Sequence, residues 1–106
     1  MIANTPTPPY YAVIFTSYRT EEDAGYDDMS HRMVELGSQM TGFLGMESAR
    51  HGIGITVSYW DSLENIRAWK QHAEHLLAQQ TGRTTWYQSY KTRICKVERD
   101  YGFEKD

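Results

Sequence analysis

Between Tyr10 and Glu98 the apolar residues change their spacing in the order strand, helix, strand, strand, helix, strand, and few folds accept that order. Tyr10 to Arg19 (YYAVIFTSYR) is rich in β-branched and aromatic residues and is too short for a useful helix, so it reads as a strand. Its alternate sets, Tyr10/Ala12/Ile14 and Tyr11/Val13/Phe15, are both apolar, as in a strand covered on two sides. From about Tyr26 the spacing becomes helical, through Met29, Met33, Leu36 and Met40. Asp27 and Asp28 suit the positive end of that helix, and Thr41-Gly42 supplies its stop. Phe43 to Arg50 and Ile53 to Trp60 read as strands, and the short His51-Gly52 link makes them an antiparallel hairpin. Gly45 and Gly54, inside those strands, mark a bulge or the close approach of another group. Asp61-Ser62-Leu63-Glu64 starts a second helix, with Asp61 as the expected cap. That helix is expected to run to about Gln80 and close at Thr81-Gly82, before a last strand from about Thr84 to Glu98.

The resulting β-α-β-β-α-β order predicts an α+β, ferredoxin-like fold: a four-stranded antiparallel sheet with two helices on one face. All three prolines, Pro6, Pro8 and Pro9, precede it, so residues 1–9 are expected to form an extended arm. Residues 10–100 form the expected domain and 101–106 a polar tail. The sheet face without helices would expose more apolar surface than a monomer usually carries. A homodimer packed sheet to sheet, closing as a dimeric α/β barrel, is therefore expected.

With 11 Lys+Arg against 14 Asp+Glu and no basic cluster, the 106-residue chain offers no surface for nucleic acid. No apolar run approaches the ~18 residues of a membrane span, so no membrane partner is expected. A single cysteine, Cys95, and an opening without a basic or apolar leader pattern fit the cytoplasm. Dinucleotide, P-loop, GxSxG and CxxC signatures are absent from the sequence.

The aromatic residues gather around the second helix. Leu63, Ile66, Trp69, Ala73, Leu76 and Leu77 make its apolar arc, His72 lies beside that arc and His75 about 60° further round. Trp60 precedes the helix and Trp86-Tyr87 follow it. One reading is a cleft between helices and sheet, lined by Trp and Met and holding a few polar groups. A histidine there could orient a hydroxyl, exchange a proton near neutral pH or ligate haem iron. The other reading makes Trp69 and the Met29/Met33/Met40 stripe core, with His72 and His75 ordinary surface residues.

The chain resembles the antibiotic biosynthesis monooxygenase superfamily. The resemblance is carried by Tyr10–Ser17, Gly42-Phe43-Leu44-Gly45 through Arg50, Ile55-Thr56-Val57-Ser58-Tyr59-Trp60, Trp69-Lys70 with Glu74-His75, and Trp86-Tyr87. It implies a ferredoxin-like protomer, a barrel-forming homodimer and one pocket per subunit between sheet and helices. Two activities follow from it: oxygenation of flat phenolic or polycyclic compounds without metal or bound flavin, and oxidative haem degradation. On the first, no cofactor is expected. The candidate catalytic residues are His75, His72 and Tyr87, and the candidate substrate contacts are Trp69, Trp86, Trp60, Met33 and Phe15. On the second, the ligand is a tetrapyrrole and His75 the iron ligand, although the first strand lacks the asparagine of the haem-degrading pattern and His75 falls about a turn early. A noncatalytic barrel that binds a small apolar molecule is the remaining alternative.

Overall fold

A computed structural model describes residues 2–79 and 85–106. Its elements are β1 (Tyr10–Arg19), α1 (Tyr26–Ser38), β2 (Phe43–His51), β3 (Ile53–Trp60), α2 (Leu63–Gln79) and β4 (Tyr87–Val97). The four strands form one antiparallel sheet in the order β2-β3-β1-β4, the ferredoxin-like topology expected from the sequence. Because side chains alternate along a strand, the registers Phe15↔Thr56, Ser17↔Gly54 and Tyr11↔Trp60 put these residues on one face. That face meets the helices: Trp60 stacks on Trp69 of α2, and Phe15 reaches Tyr26 of α1 through the Tyr87 ring.

Two apolar groups hold the helices to it. Met29 of α1, Leu76 of α2 and Trp86 are buried together, with Tyr26, Met33, Leu36 and Tyr87 packed around them. Trp60, with no exposed surface, lies between Phe43 and Trp69 in the second group. Gly37 makes this packing close, since a β-carbon there would sit 3.3 Å from the Trp69 ring.

Local signals in the sequence held in some places and moved in others. Gly42 ends the α1 region at φ 87°, the left-handed conformation expected of the stop, and its carbonyl accepts the Asp61 amide at 2.9 Å. The register shift beside Gly45 is the expected bulge. Met40 lies beyond the last helical residue, Ser38, so the α1 stripe stops at Leu36. The cap of α2 is Ser62, whose hydroxyl accepts the Asn65 amide at 3.1 Å, rather than Asp61. Asp61 instead accepts the Asn65 side-chain amide at 2.8 Å, one residue too early in the chain to reach the helical amide. The last strand starts at Tyr87, later than expected, because Thr85 and Trp86 are helical and the Trp86 indole turns into the core to donate to Ala24 O at 2.9 Å; the expected start at Thr84 lies outside the described residues. The expected stop at Thr81-Gly82 lies outside the described residues.

The arm lies against the sheet. The Ala3 amide donates to Glu47 of β2 at 2.8 Å, and Thr5 donates to the Tyr10 hydroxyl at 2.9 Å. Residues 2–9 therefore lie across one end of the helix-free face. Its other end, with Tyr18 half exposed and Ile53 and Ile55 about two-fifths exposed, stays uncovered.

Candidate functional site

An opening forms where the first turn of α1 faces the hairpin end of β2 and β3. It is an open cavity of about 360 Å³, bordered by Arg19 at the end of β1, Tyr26, Asp27 and Ser30 of α1, Ser48 and Arg50 of β2, and Gly54 and Thr56 of β3. The volume lies at the small end of the range for ligand pockets. A second, more apolar hollow of about 270 Å³ lies by Ala49, Ile53 and Ile55.

Two arginines set the chemistry of the larger cavity. Arg50 lies across Gly54, where any β-carbon would collide with its guanidinium, and donates to Ser17 Oγ at 2.7 Å. Ser17 is 2% exposed, so the cation is fixed to a buried hydroxyl of the sheet. The other Arg50 hydrogen bond goes to Gly52 O at 3.4 Å. Both acceptors are neutral, so no hydrogen bond of Arg50 among the described residues goes to a carboxylate. The Arg19 guanidinium lies 3.5 Å from the centre of the Tyr26 ring, a cation–π contact. Its Nε is buried without a hydrogen-bond partner among the described residues. The N-terminus of α1 opens into the same space, for Gly25 in the left-handed conformation supplies no side-chain cap. Asp27 is the carboxylate bordering the cavity, set against these positive groups.

Beside the cavity the Tyr87 hydroxyl donates to the Tyr26 hydroxyl at 3.5 Å. Burial, aided by this bond, pushes the Tyr87 hydroxyl well above its ordinary pKa, while Arg50 and Arg19 act in the opposite sense. Tyr87 is thus a neutral donor next to two cations. Phe15, Tyr87 and Tyr90 form a contiguous aromatic wall, with ring centres 5.3 to 5.6 Å apart.

The residues singled out in the sequence do not converge on this place. Tyr87 and Phe15 stand beside it, through Tyr26 and the aromatic wall. Trp60 and Trp86 are buried core, Trp69 packs on Trp60 and Gly37, and Met33 packs on the Met29/Leu76/Trp86 group. His72 and His75 are exposed on α2 and border neither cavity. His75, the iron ligand of the haem alternative, thus lies outside both cavities, and Trp69, its expected porphyrin contact, packs on Trp60 and Gly37. No group of three His, Cys, Asp or Glu side chains suited to a metal ion occurs among the described residues. Arg19, Arg50 and Ser17 were missed, and the one signal for them was Gly54 within a strand.

A second polar cluster ties down the termini on the helix-free face. Tyr59 donates to Glu47 and Tyr10 to Asp100, each at 2.5 Å, and the two rings meet edge to face. Burial and then the Glu47 bond push Tyr59 up to about 12, while Glu47 is held below its usual value by the Tyr59 and Ala3 donors. The Asp100 bond likewise raises Tyr10. These bonds are structural fastenings on the side opposite the cavity.

The ferredoxin-like fold is shared with solved structures of an oxygenase and of candidate antibiotic biosynthesis monooxygenases. The crystal structure of a mutant of SnoaB, a cofactor-independent oxygenase from Streptomyces nogalater, superposes with a TM-score of 0.69 at 9% identity, covering 86% of this chain and 95% of that one. A candidate antibiotic biosynthesis monooxygenase from Nitrosomonas europaea gives a TM-score of 0.66 at 13% identity, over 89% and 94% of the two chains. No family model matches the sequence. The chain belongs to the family of YqjZ from Bacillus subtilis strain 168, an uncharacterized protein to which it is 50% identical over 107 aligned positions, 99% of this chain and 94% of that protein. No described helix is long and apolar enough to cross a membrane.

Proposed function

We propose that the protein is a small oxygenase that takes a flat phenolic ring in the Arg19/Arg50 cavity and uses the electrons of that substrate to reduce oxygen, without a bound cofactor. The observation that carries this reading is Arg50, a cation fixed by Ser17 Oγ at 2.7 Å and hydrogen-bonded only to neutral acceptors among the described residues, in a fold shared with a cofactor-independent oxygenase. A guanidinium beside a phenol favours the phenolate, the electron-rich form that reacts with oxygen. One oxygen atom enters the ring and the other leaves as water, while the ring loses its displaced C–H hydrogen and the phenolic hydrogen, giving the quinone. Tyr87, kept neutral by burial, serves through Tyr26 as the donor to the reduced oxygen.

The functional unit in this reading is a homodimer in the cytoplasm. The uncovered end of the sheet, with Tyr18, Ile53 and Ile55, is the surface that a second copy covers. Oxygen uptake tests the activity, with a dihydroxynaphthalene as substrate and the quinone followed by absorbance. One mole of oxygen consumed per mole of quinone, lost in Arg50→Gln and retained in His75→Ala, supports it. Binding without oxygen uptake refutes the oxygenase and leaves a ligand-binding barrel, and a Soret shift with haem that His75→Ala abolishes restores the haem alternative.

A further inference from the structure

We infer that the cavity holds a second anionic group of its ligand, so that the substrate class is a small aromatic acid bearing a carboxylate as well as a ring hydroxyl. This rests on the reading of the cavity as the substrate site and adds a charge to what it binds. A phenolate occupies one cation, Arg50. Arg19 remains: it borders the same cavity with its guanidinium held over the Tyr26 ring, a contact that leaves its charge available to a ligand. The α1 N-terminus adds a second source of positive potential at the same wall, since Gly25 offers no side-chain cap and Tyr26 and Asp27 of the first turn border the cavity.

Shape narrows the choice further. A carboxylate has two oxygens in one plane and matches the planar fork of a guanidinium, whereas a neutral hydroxyl leaves most of that fork unused. The Tyr26 ring under Arg19 holds the fork in place by its face. A volume of about 360 Å³ admits one or two fused rings with their substituents and is small for a macrocycle. Asp27, the bordering carboxylate, would repel a second acid placed beside it but accepts a ring hydroxyl. The acid end of the ligand therefore belongs at Arg19 and its hydroxyl end toward Arg50 or Asp27.

Titration calorimetry at low ionic strength with salicylate, phenol and inorganic phosphate tests this on the full chain. Salicylate is expected to bind about tenfold more tightly than phenol, the size of one charge-assisted contact, and added salt is expected to erode that preference. Arg19→Gln is expected to erase the preference, read as the ratio of salicylate to phenol affinity in the same variant, and Arg19→Lys to restore part of it. If Arg19→Gln fails to fold, Arg19→Lys still decides, because a point charge without the fork must lower the salicylate preference. Equal affinity for salicylate and phenol, a preference that survives in both variants, or phosphate binding tighter than salicylate each overturns the inference. Oxygen uptake plays no part in these measurements. A salicylate preference without turnover supports the acid site and counts only against the oxygenase, whereas turnover of neutral phenols with no such preference removes the acid site alone.

Discussion

Gly54→Ala separates the stability of the sheet from the position of the cation that defines the cavity. The new β-carbon falls on the Arg50 guanidinium, a flexible side chain, and not on backbone, so the strand accommodates the methyl by expelling Arg50 from Ser17. Three contributions follow. Ser17 Oγ, on a residue 2% exposed, loses its donor, which costs about 1–3 kcal/mol. Arg50, largely in solvent, regains water and contributes little. Alanine restricts the unfolded chain more than glycine and returns about 0.4–1 kcal/mol. The net loss centres on about 1 kcal/mol, equivalent to a melting temperature lower by about 4–8 °C in a domain of this size. Affinity for a dihydroxynaphthalene falls about tenfold or more, because the phenolate loses its fixed cation. Thermal unfolding followed by circular dichroism and calorimetric titration read the two effects. The cycle with Arg50→Ala is the decisive control, since Gly54→Ala has nothing to displace once Arg50 is gone. Strictly additive effects in that cycle, or a Gly54→Ala variant that binds as the parent does, refute the reasoning.

Trp60→Ala removes the ring between Phe43 and Trp69 and is expected to cost about 3–5 kcal/mol in urea unfolding, a large part of the ~5–15 kcal/mol of a small domain; a loss below about 1 kcal/mol would show that Trp60 is not core. Stability is expected to fall at both ends of the pH range through the Tyr59–Glu47 pair. Tyr59 is pushed up to about 12 from 10.0, so its contribution is whole below pH 10 and drains away as pH rises toward 12. Glu47 is held low, so its contribution is present above the ordinary carboxylate range and is lost on acidification. Melting temperature against pH should show both limbs, and Tyr59→Phe should weaken both, Tyr10 and Tyr87 keeping part of the alkaline one. Ile55→Glu, on the uncovered sheet face, is expected to convert the proposed dimer to monomer in sedimentation velocity; a parent protein that already sediments as a monomer disposes of the sheet-to-sheet interface.

Periodicity made the scaffold readable because each element states its own pattern within ten or so residues. The strand alternation of Tyr10–Arg19, the one-glycine hairpin at Gly52 and the stop at Gly42 are local facts, and their order leaves one common topology. Cap positions slipped by a residue where two polar side chains compete, as Asp61 and Ser62 do, since only the trajectory of the chain decides which oxygen meets the helical amide. The site was harder for a different reason. Large aromatic residues cluster visibly in the sequence, but the same area that makes Trp60, Trp69 and Trp86 conspicuous favours their burial, and the fold spends them on holding helices to the sheet.

The cavity is instead assembled from polar residues that share no spacing: Arg19 ends one strand, Tyr26 opens a helix, and Arg50 and Gly54 stand on two strands of a hairpin. One pairing among them does have a sequence trace. A tight link at Gly52 places Arg50 directly across from Gly54, and a long cation beside a position without a side chain can lie flat over the strand and reach the next one, where Ser17 waits in register. A strand glycine opposite an arginine in a tight hairpin is therefore a physical reason to look for a fixed charge on that face. The sequence contains that reason, and the histidines of α2 have no comparable one.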